Sequence, residues 1–220
     1  MKQACRKLSP KLLVSTFSLT ALLLGGAVQS QAQEHFLTFG VGGGFTTQTG
    51  RTADYLDNGG NLQVTGGINL GPILGLGATF MYNGMGLTGS ALSQVSVPDG
   101  HANIYTLTVE PKIKFPIGIG KAYILGGGGW MRRTVAYTQP VLTSTFVYNP
   151  WWGYYGPALV TANQELGSFS QNAGVWDVGA GMEFNLPRSG WKLFTEARYF
   201  SGMTNQTHTD LIPVTVGVRW

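Results

Sequence analysis

Tyr105-Thr106-Leu107-Thr108-Val109-Glu110-Pro111-Lys112-Ile113-Lys114-Phe115 alternates without a break. Odd positions are apolar or aromatic; even positions are threonines followed by Glu110, Lys112 and Lys114. A period of two puts each set on one face of an extended strand. In a soluble barrel the apolar face would point inward and the charges would meet water. Here the apolar face is continuous and ends in a ring at each side, Tyr105 and Phe115, as a strand facing lipid would. Ten residues at roughly 3.3 Å each, tilted near 40°, span on the order of 25 Å, the height of a lipid-facing band. The charges then face a lumen.

The same pattern recurs on both sides of this segment. Toward the N-terminus, Leu37, Phe39, Val41, Gly43 and Phe45 form an outward set, followed by Leu62, Val64, Gly66, Ile68 and Leu70, and by Leu74, Leu76, Ala78, Phe80 and Tyr82. Toward the C-terminus, Trp176, Val178, Ala180, Met182 and Phe184 oppose Asp177 and Glu183. Trp191, Leu193, Thr195, Ala197 and Tyr199 oppose Lys192, Glu196 and Arg198, and Val214, Val216, Val218 and Trp220 oppose Arg219. Between them, a segment from about Ala122 to Tyr137 contains Gly126 to Gly129, and alternation does not fix its register. Glycines on the inner faces leave room for the long charged side chains opposite, as filling a narrow barrel requires.

These segments predict an all-β chain: an eight-stranded, antiparallel, up-and-down transmembrane β-barrel. Gly71-Pro72, Pro116 to Gly120 and Pro187 to Gly190 read as tight turns; residues 46–60, 84–102, 138–170 and 202–209 read as longer loops. Short turns belong on the periplasmic side and long loops outside, so an even strand count returns both termini to the periplasm. For residues 138–170 three readings stay open: a loop with exposed aromatics, a hairpin extending its flanking strands, or two more strands, making ten.

Lys2, Arg6, Lys7 and Lys11 precede an apolar run from Leu12 to Val28, with Ser30 and Ala32 at the −3 and −1 positions of a cleavage site. Residues 1–32 are therefore expected to be a signal peptide and residues 33–220 the barrel domain. The chain has 14 basic and 10 acidic residues; removing four unpaired bases leaves ten of each, so nothing argues for nucleic acid. Cys5, the single cysteine, leaves with the leader, and with it any disulfide or thiol chemistry. The 33 glycines and 11% charged residues are unusual for a water-soluble globule.

Candidate chemistry is sparse. Gly40 to Gly44 and Gly126 to Gly129 lack the helix and Gly-Lys-Ser/Thr ending of a phosphate loop. His101 and His208, near Asp99 and Asp210, lack metal-ligand spacing, so no metal and no cofactor is expected. Ser201 and His208 form no recognisable nucleophile–base motif, so no enzyme is expected. The lumen charges are Glu110, Lys112, Lys114, Asp177, Glu183, Lys192, Glu196, Arg198 and Arg219, nearly balanced, as pairing within a narrow space requires. A gated ion path is the functional alternative for them. Tyr148, Trp151, Trp152, Tyr154 and Tyr155 crowd one short stretch and are candidates for surface interaction.

Two stretches carry a resemblance. Thr195-Glu196-Ala197-Arg198-Tyr199-Phe200, with Ile212-Pro213-Val214-Thr215-Val216-Gly217-Val218-Arg219-Trp220, resembles the end of the outer-membrane β-barrel domain family, similar in build to the small OmpA/OmpX-type barrels. Phe39-Gly40-Val41-Gly42-Gly43-Gly44 resembles its first strand. The resemblance spans residues 35–220, although the family more often ends in Phe than Trp. It implies a monomer in the outer membrane of a Gram-negative cell envelope, with outer-membrane lipids and the barrel-assembly machinery as partners and Trp220 as the assembly signal. An extracellular ligand is not identified by it, and no peptidoglycan-binding domain is expected after Trp220. The implied role is structural or surface-interacting through the outer loops; a narrow pore and a lipid-modifying enzyme are the alternatives.

If Trp220 is read by the assembly machinery, deleting it leaves unfolded precursor in the periplasm. The heat-modifiable band on gels should then be lost; normal insertion of the truncated chain would refute the assignment.

Overall fold

The computed structural model describes residues 36–118, 120–186, 190–203 and 208–220. The segment read as a signal peptide and most of the Pro187 to Gly190 turn lie outside them. Eight strands form among the described residues: β1 (Leu37–Thr49), β2 (Leu56–Asn69), β3 (Leu74–Leu87), β4 (Asp99–Ile117), β5 (Gly120–Asn149), β6 (Tyr154–Asn185), β7 (Lys192–Met203) and β8 (Thr209–Arg219). Each pairs antiparallel with its neighbours in sequence, and β1 pairs with β8, so the sheet closes. Trp220 completes the seam: its N–H donates to the Phe39 carbonyl and its carbonyl accepts from the Phe39 N–H, both at 2.9 Å.

The register fixes the barrel's geometry. Partners followed round the ring run from Phe39 through Gly66, Ala78, Val109, Gly128, Trp176, Ser201 and Asp210 to Thr49, ten residues further along β1. With strands ~4.8 Å apart and ~3.3 Å per residue, that stagger over eight strands gives a tilt of about 40°. The outward faces follow the sequence pattern. On β5, whose register sequence left open, Tyr123, Leu125 and Met131 are buried inside, while Ile124 and Trp130 face out.

The turn end is compact; the other end is built up. There β1 and β2 are joined through a 3-10 turn, Gly50–Asp54, and β3 and β4 through a short helix, α1 (Gly89–Val95). The Thr88 hydroxyl caps α1 by accepting from the Ala91 N–H, and Ser96, at φ 55°, ends it in the left-handed region. Strands run further into this end than their composition suggested. His101, expected in a loop, lies on β4 opposite Gly86 and Ala136. Beyond the lipid, outward positions need no longer be apolar, so alternation fades while backbone pairing continues.

Residues 138–170 resolve as a hairpin extension, and the ten-strand alternative is corrected. The β5–β6 ladder runs unbroken from the barrel to Asn149 opposite Tyr154, with one register shift between Tyr137 and Thr138 that leaves Leu166 as the extra residue. β4 stops pairing with β5 at Thr138 and β7 stops pairing with β6 at Gly174. Past those points a two-stranded arm stands alone.

Close packing on the inner wall leaves no room for a Cβ at Gly217, where one would lie 2.7 Å from Phe194 Cε1 and overlap the Val41 carbonyl. At the lipid-facing Gly66 the nearest atoms would be ring carbons of Phe39 at 3.8 Å. Gly217→Ala should therefore lower unfolding stability by about 1–3 kcal/mol in urea titrations. Gly66→Ala should be neutral or slightly stabilising; equal effects would contradict the inner packing described.

Candidate functional site

Alternation on β4, β6, β7 and β8 aims every one of the nine expected lumen charges inward. Arg198, on β7, is the hub. Its Nε donates to Glu196 Oε1 at 2.5 Å, its Nη1 to Asp177 Oδ2 at 3.2 Å and also to Glu110, and its Nη2 to Thr79 Oγ1 at 3.2 Å. One guanidinium thus joins carboxylates from three strands, using the planar fork that suits arginine to this position. Glu196 also accepts from Gln63 Nε2 at 2.9 Å and from the Tyr123 hydroxyl at 2.6 Å.

A second centre lies nearer the turns. Arg219 pairs with Glu183 and reaches Glu196 Oε2 at 3.9 Å, while its guanidinium sits 4.6 Å from the Phe194 ring centre. Lys112 Nζ lies 4.4 Å from the Tyr123 ring centre. Lys114 donates to Asn69 Oδ1 at 2.7 Å, and Lys192 occupies the lumen face at the start of β7. The lumen void beside Lys112, Lys114, Glu183 and Arg219 is about 30 Å³, room for a water or so.

Toward the outer end the lumen gains an apolar cluster, with Thr46, Asn83 and Thr106 buried among it. Met81, Ile104, Met131, Phe200 and Leu211 are buried together, with Leu56, Met85, Leu87 and Val175 around them. Sequence reasoning missed this plug, and it missed Gln63 and Tyr123 as members of the network. Ile104 and Phe200 do fall on the charged faces of β4 and β7, so parity could have found them. Tyr123 could not be placed while the register of β5 was open.

The outer wall carries two aromatic rings. Tyr82 with Tyr105, at 5.3 Å between centres, and Trp176 with Tyr199, at 5.5 Å, lie toward the loop end. Trp191 and Trp220 lie together at the turn end, at 5.8 Å. Such belts mark the two lipid–water boundaries.

The interaction candidates lie at the arm's tip. Asn149 shapes the turn by accepting from the Trp151 N–H through Oδ1, at 3.0 Å, and from the Gly153 N–H through its carbonyl, at 2.9 Å. Gly153 takes φ 67°, a conformation that favours glycine. The rings of Tyr148 and Tyr155 pack at a tilt across the strands, 5.3 Å between centres, and Tyr154 pairs with Asn149. Trp151 and Trp152 stand in solvent, 92% and 72% exposed. The tip is therefore only partly packed on itself.

Ser201 and His208 are not brought together as a nucleophile and base among the described residues. Ser201 is buried between the positions of Trp176 and Asp210, and among the described residues no hydrogen bond joins it to His208. Among the same residues no three His, Cys, Asp or Glu side chains cluster as a metal set would.

The sequence matches the family described as outer membrane protein beta-barrel domain over residues 18–219. No curated protein matches the chain as a relative. Among solved structures, Neisserial surface protein A (NspA) is similar with a TM-score of 0.53 at 11% identity, over 84% of this chain and 96% of that one. Ail, the attachment invasion locus protein of Yersinia pestis, gives 0.45 at 16% over 84% and 96%. The N-terminal barrel domain of Pseudomonas aeruginosa OprF gives 0.41 at 13% over 86% and 100%. Identities this low speak to fold alone.

Because Arg198 neutralises Glu110, Asp177 and Glu196 together, Arg198→Met should cost about 3–5 kcal/mol by leaving buried carboxylates uncompensated. Glu196→Ala, which leaves Arg198 two other acids, should cost less. Urea unfolding of both variants in the same detergent tests the order; a wild-type midpoint for Arg198→Met would mean the hub sees water.

Proposed function

The chain belongs to the outer membrane protein β-barrel domain family and resides in the cell outer membrane, and from that premise we propose that it is a non-enzymatic surface protein that adheres through its β5–β6 arm. The arm carries the proposal. From Thr138 to Asn149 it extends about 36 Å at ~3.3 Å per residue. Between residues 138 and 172 the only charged side chain is Glu165. One face presents Leu142, Phe146 and Tyr148 beside Leu159, Pro157 and Tyr155; the other presents Val141 and Val147 beside Ala162 and Gly156.

Both arm edges leave backbone groups unpaired, and natural sheets usually guard such edges with charges or prolines; here Pro140 and Pro157 are present but charge is nearly absent. An exposed arm with a single charge and several exposed aromatic and aliphatic side chains is costly to keep soluble, which favours its use as a contact surface. The pore reading fares worse, since the Arg198 and Arg219 clusters and the apolar plug fill the lumen in series. An enzyme reading finds no support in Ser201 and His208, which no hydrogen bond joins among the described residues.

Cells displaying the protein should be retained several-fold more on octyl-agarose than cells lacking it. Removing residues 140–162 and bridging with Asn-Gly should abolish the difference while heat-modifiability persists. Trp151→Ser with Trp152→Ser should reduce it. Equal retention of the shortened form would overturn adhesion through the arm, and stepwise single-channel currents from the wild type would favour the pore.

A further inference from the structure

At the outer mouth of the barrel, above the apolar plug, lies a cavity of about 360 Å³, within the size range of small-molecule sites. It plays no part in the arm or in the lumen network. Its polar side is formed by Arg51 of the 3-10 turn, Arg133 of β5 and His208 just before β8. Its apolar side is formed by Leu56, Leu87 and Val135, the first two of them buried members of the plug. Among the described residues no Asp or Glu lines it.

Arg133 is held in place by neutral partners, and Arg51 is carried by an anchored turn. Arg133 donates from Nη1 to Thr209 Oγ1 at 2.9 Å and from Nη2 to Gln171 Oε1 at 3.2 Å, which fixes the guanidinium across the mouth. Thr52 anchors the turn that carries Arg51, donating to the His208 carbonyl at 3.2 Å and accepting from the Asp210 N–H at 3.0 Å. Among the described residues neither Arg51 nor Arg133 lies within ion-pair distance of a carboxylate. This contrasts with Arg198 and Arg219 below, each of which is ion-paired with buried acids. A half-buried guanidinium with free N–H groups and no counter-charge is matched by an anion, and its fork suits carboxylate or phosphate oxygens. The apolar floor is matched by a hydrocarbon body.

We propose that this mouth cavity binds a small anionic amphiphile, one carboxylate or phosphate head on an apolar chain, with Arg51 and Arg133 taking the head and Leu56, Leu87 and Val135 the chain. The site stands apart from adhesion through the arm, and shortening the arm leaves it in place.

The test uses the full barrel in zwitterionic nanodiscs, with calorimetry of octanoate, octyl phosphate, octanol and inorganic phosphate, and empty nanodiscs as the partitioning blank. Octanoate and octyl phosphate should bind saturably, and Arg133→Gln should weaken both by about tenfold. Should Arg133→Gln fail to fold, judged by heat-modifiability, the exposed Arg51→Gln carries the same expectation. Octanol should give only the blank's signal and inorganic phosphate no saturation. Binding unchanged in the variants, or octanoate indistinguishable from the blank, overturns the proposal. So does inorganic phosphate binding as tightly as octyl phosphate, which would leave the apolar floor without a role.

Discussion

Closure of β1 onto β8 is the constraint from which the rest of the structure follows. Within hydrocarbon no water can satisfy a backbone N–H or carbonyl, so an open edge in the membrane is not tolerated. The paired bonds between Phe39 and Trp220 finish that seam at the turn end. Eight strands and a stagger of ten then fix the tilt, and with it a bore that side chains can fill. Inner glycines such as Gly217 follow from this narrowness, because a neighbouring ring or backbone already occupies the space a side chain would need.

The filling of that bore is layered. Buried charges are tolerated only when each finds a partner, and Arg198 and Arg219 divide four acids between them. Above them the same inward positions turn mostly apolar, from Met81 and Ile104 to Phe200 and Leu211. A membrane barrel is often described as inverted, polar inside and apolar outside. This one is most fully inverted at the depth of the charges; above them an apolar cluster shares the lumen with buried Thr46, Asn83 and Thr106.

What could be read from sequence follows the same physics. Faces were legible wherever a charge lay opposite a lipid-facing residue, as with Glu196 and Arg198 against Ala197 and Tyr199. β5 was illegible because Gly126 to Gly129 have no side chains with which to declare a face, and Tyr123 stayed hidden with them. The arm was ambiguous for the opposite reason: Val141 to Tyr148 has strand-forming residues on both faces, which left a loop with exposed aromatics, a hairpin extension and two further strands all open. Only the uninterrupted ladder with residues 154–165 separates these. The mouth cavity draws Arg51, Arg133 and His208 from three distant segments, a juxtaposition that spacing along the chain cannot disclose.

The continuity of the arm with β5 and β6 also has a mechanical consequence. A pull on Trp151 draws both strands in the same direction, so the ladder between them carries almost none of the load. The tension passes instead to the seams with β4 and β7, where it acts along the strands and must shear many hydrogen bonds at once. The arm is therefore rooted in the barrel wall as a tether, and its strength belongs to the two seams on either side.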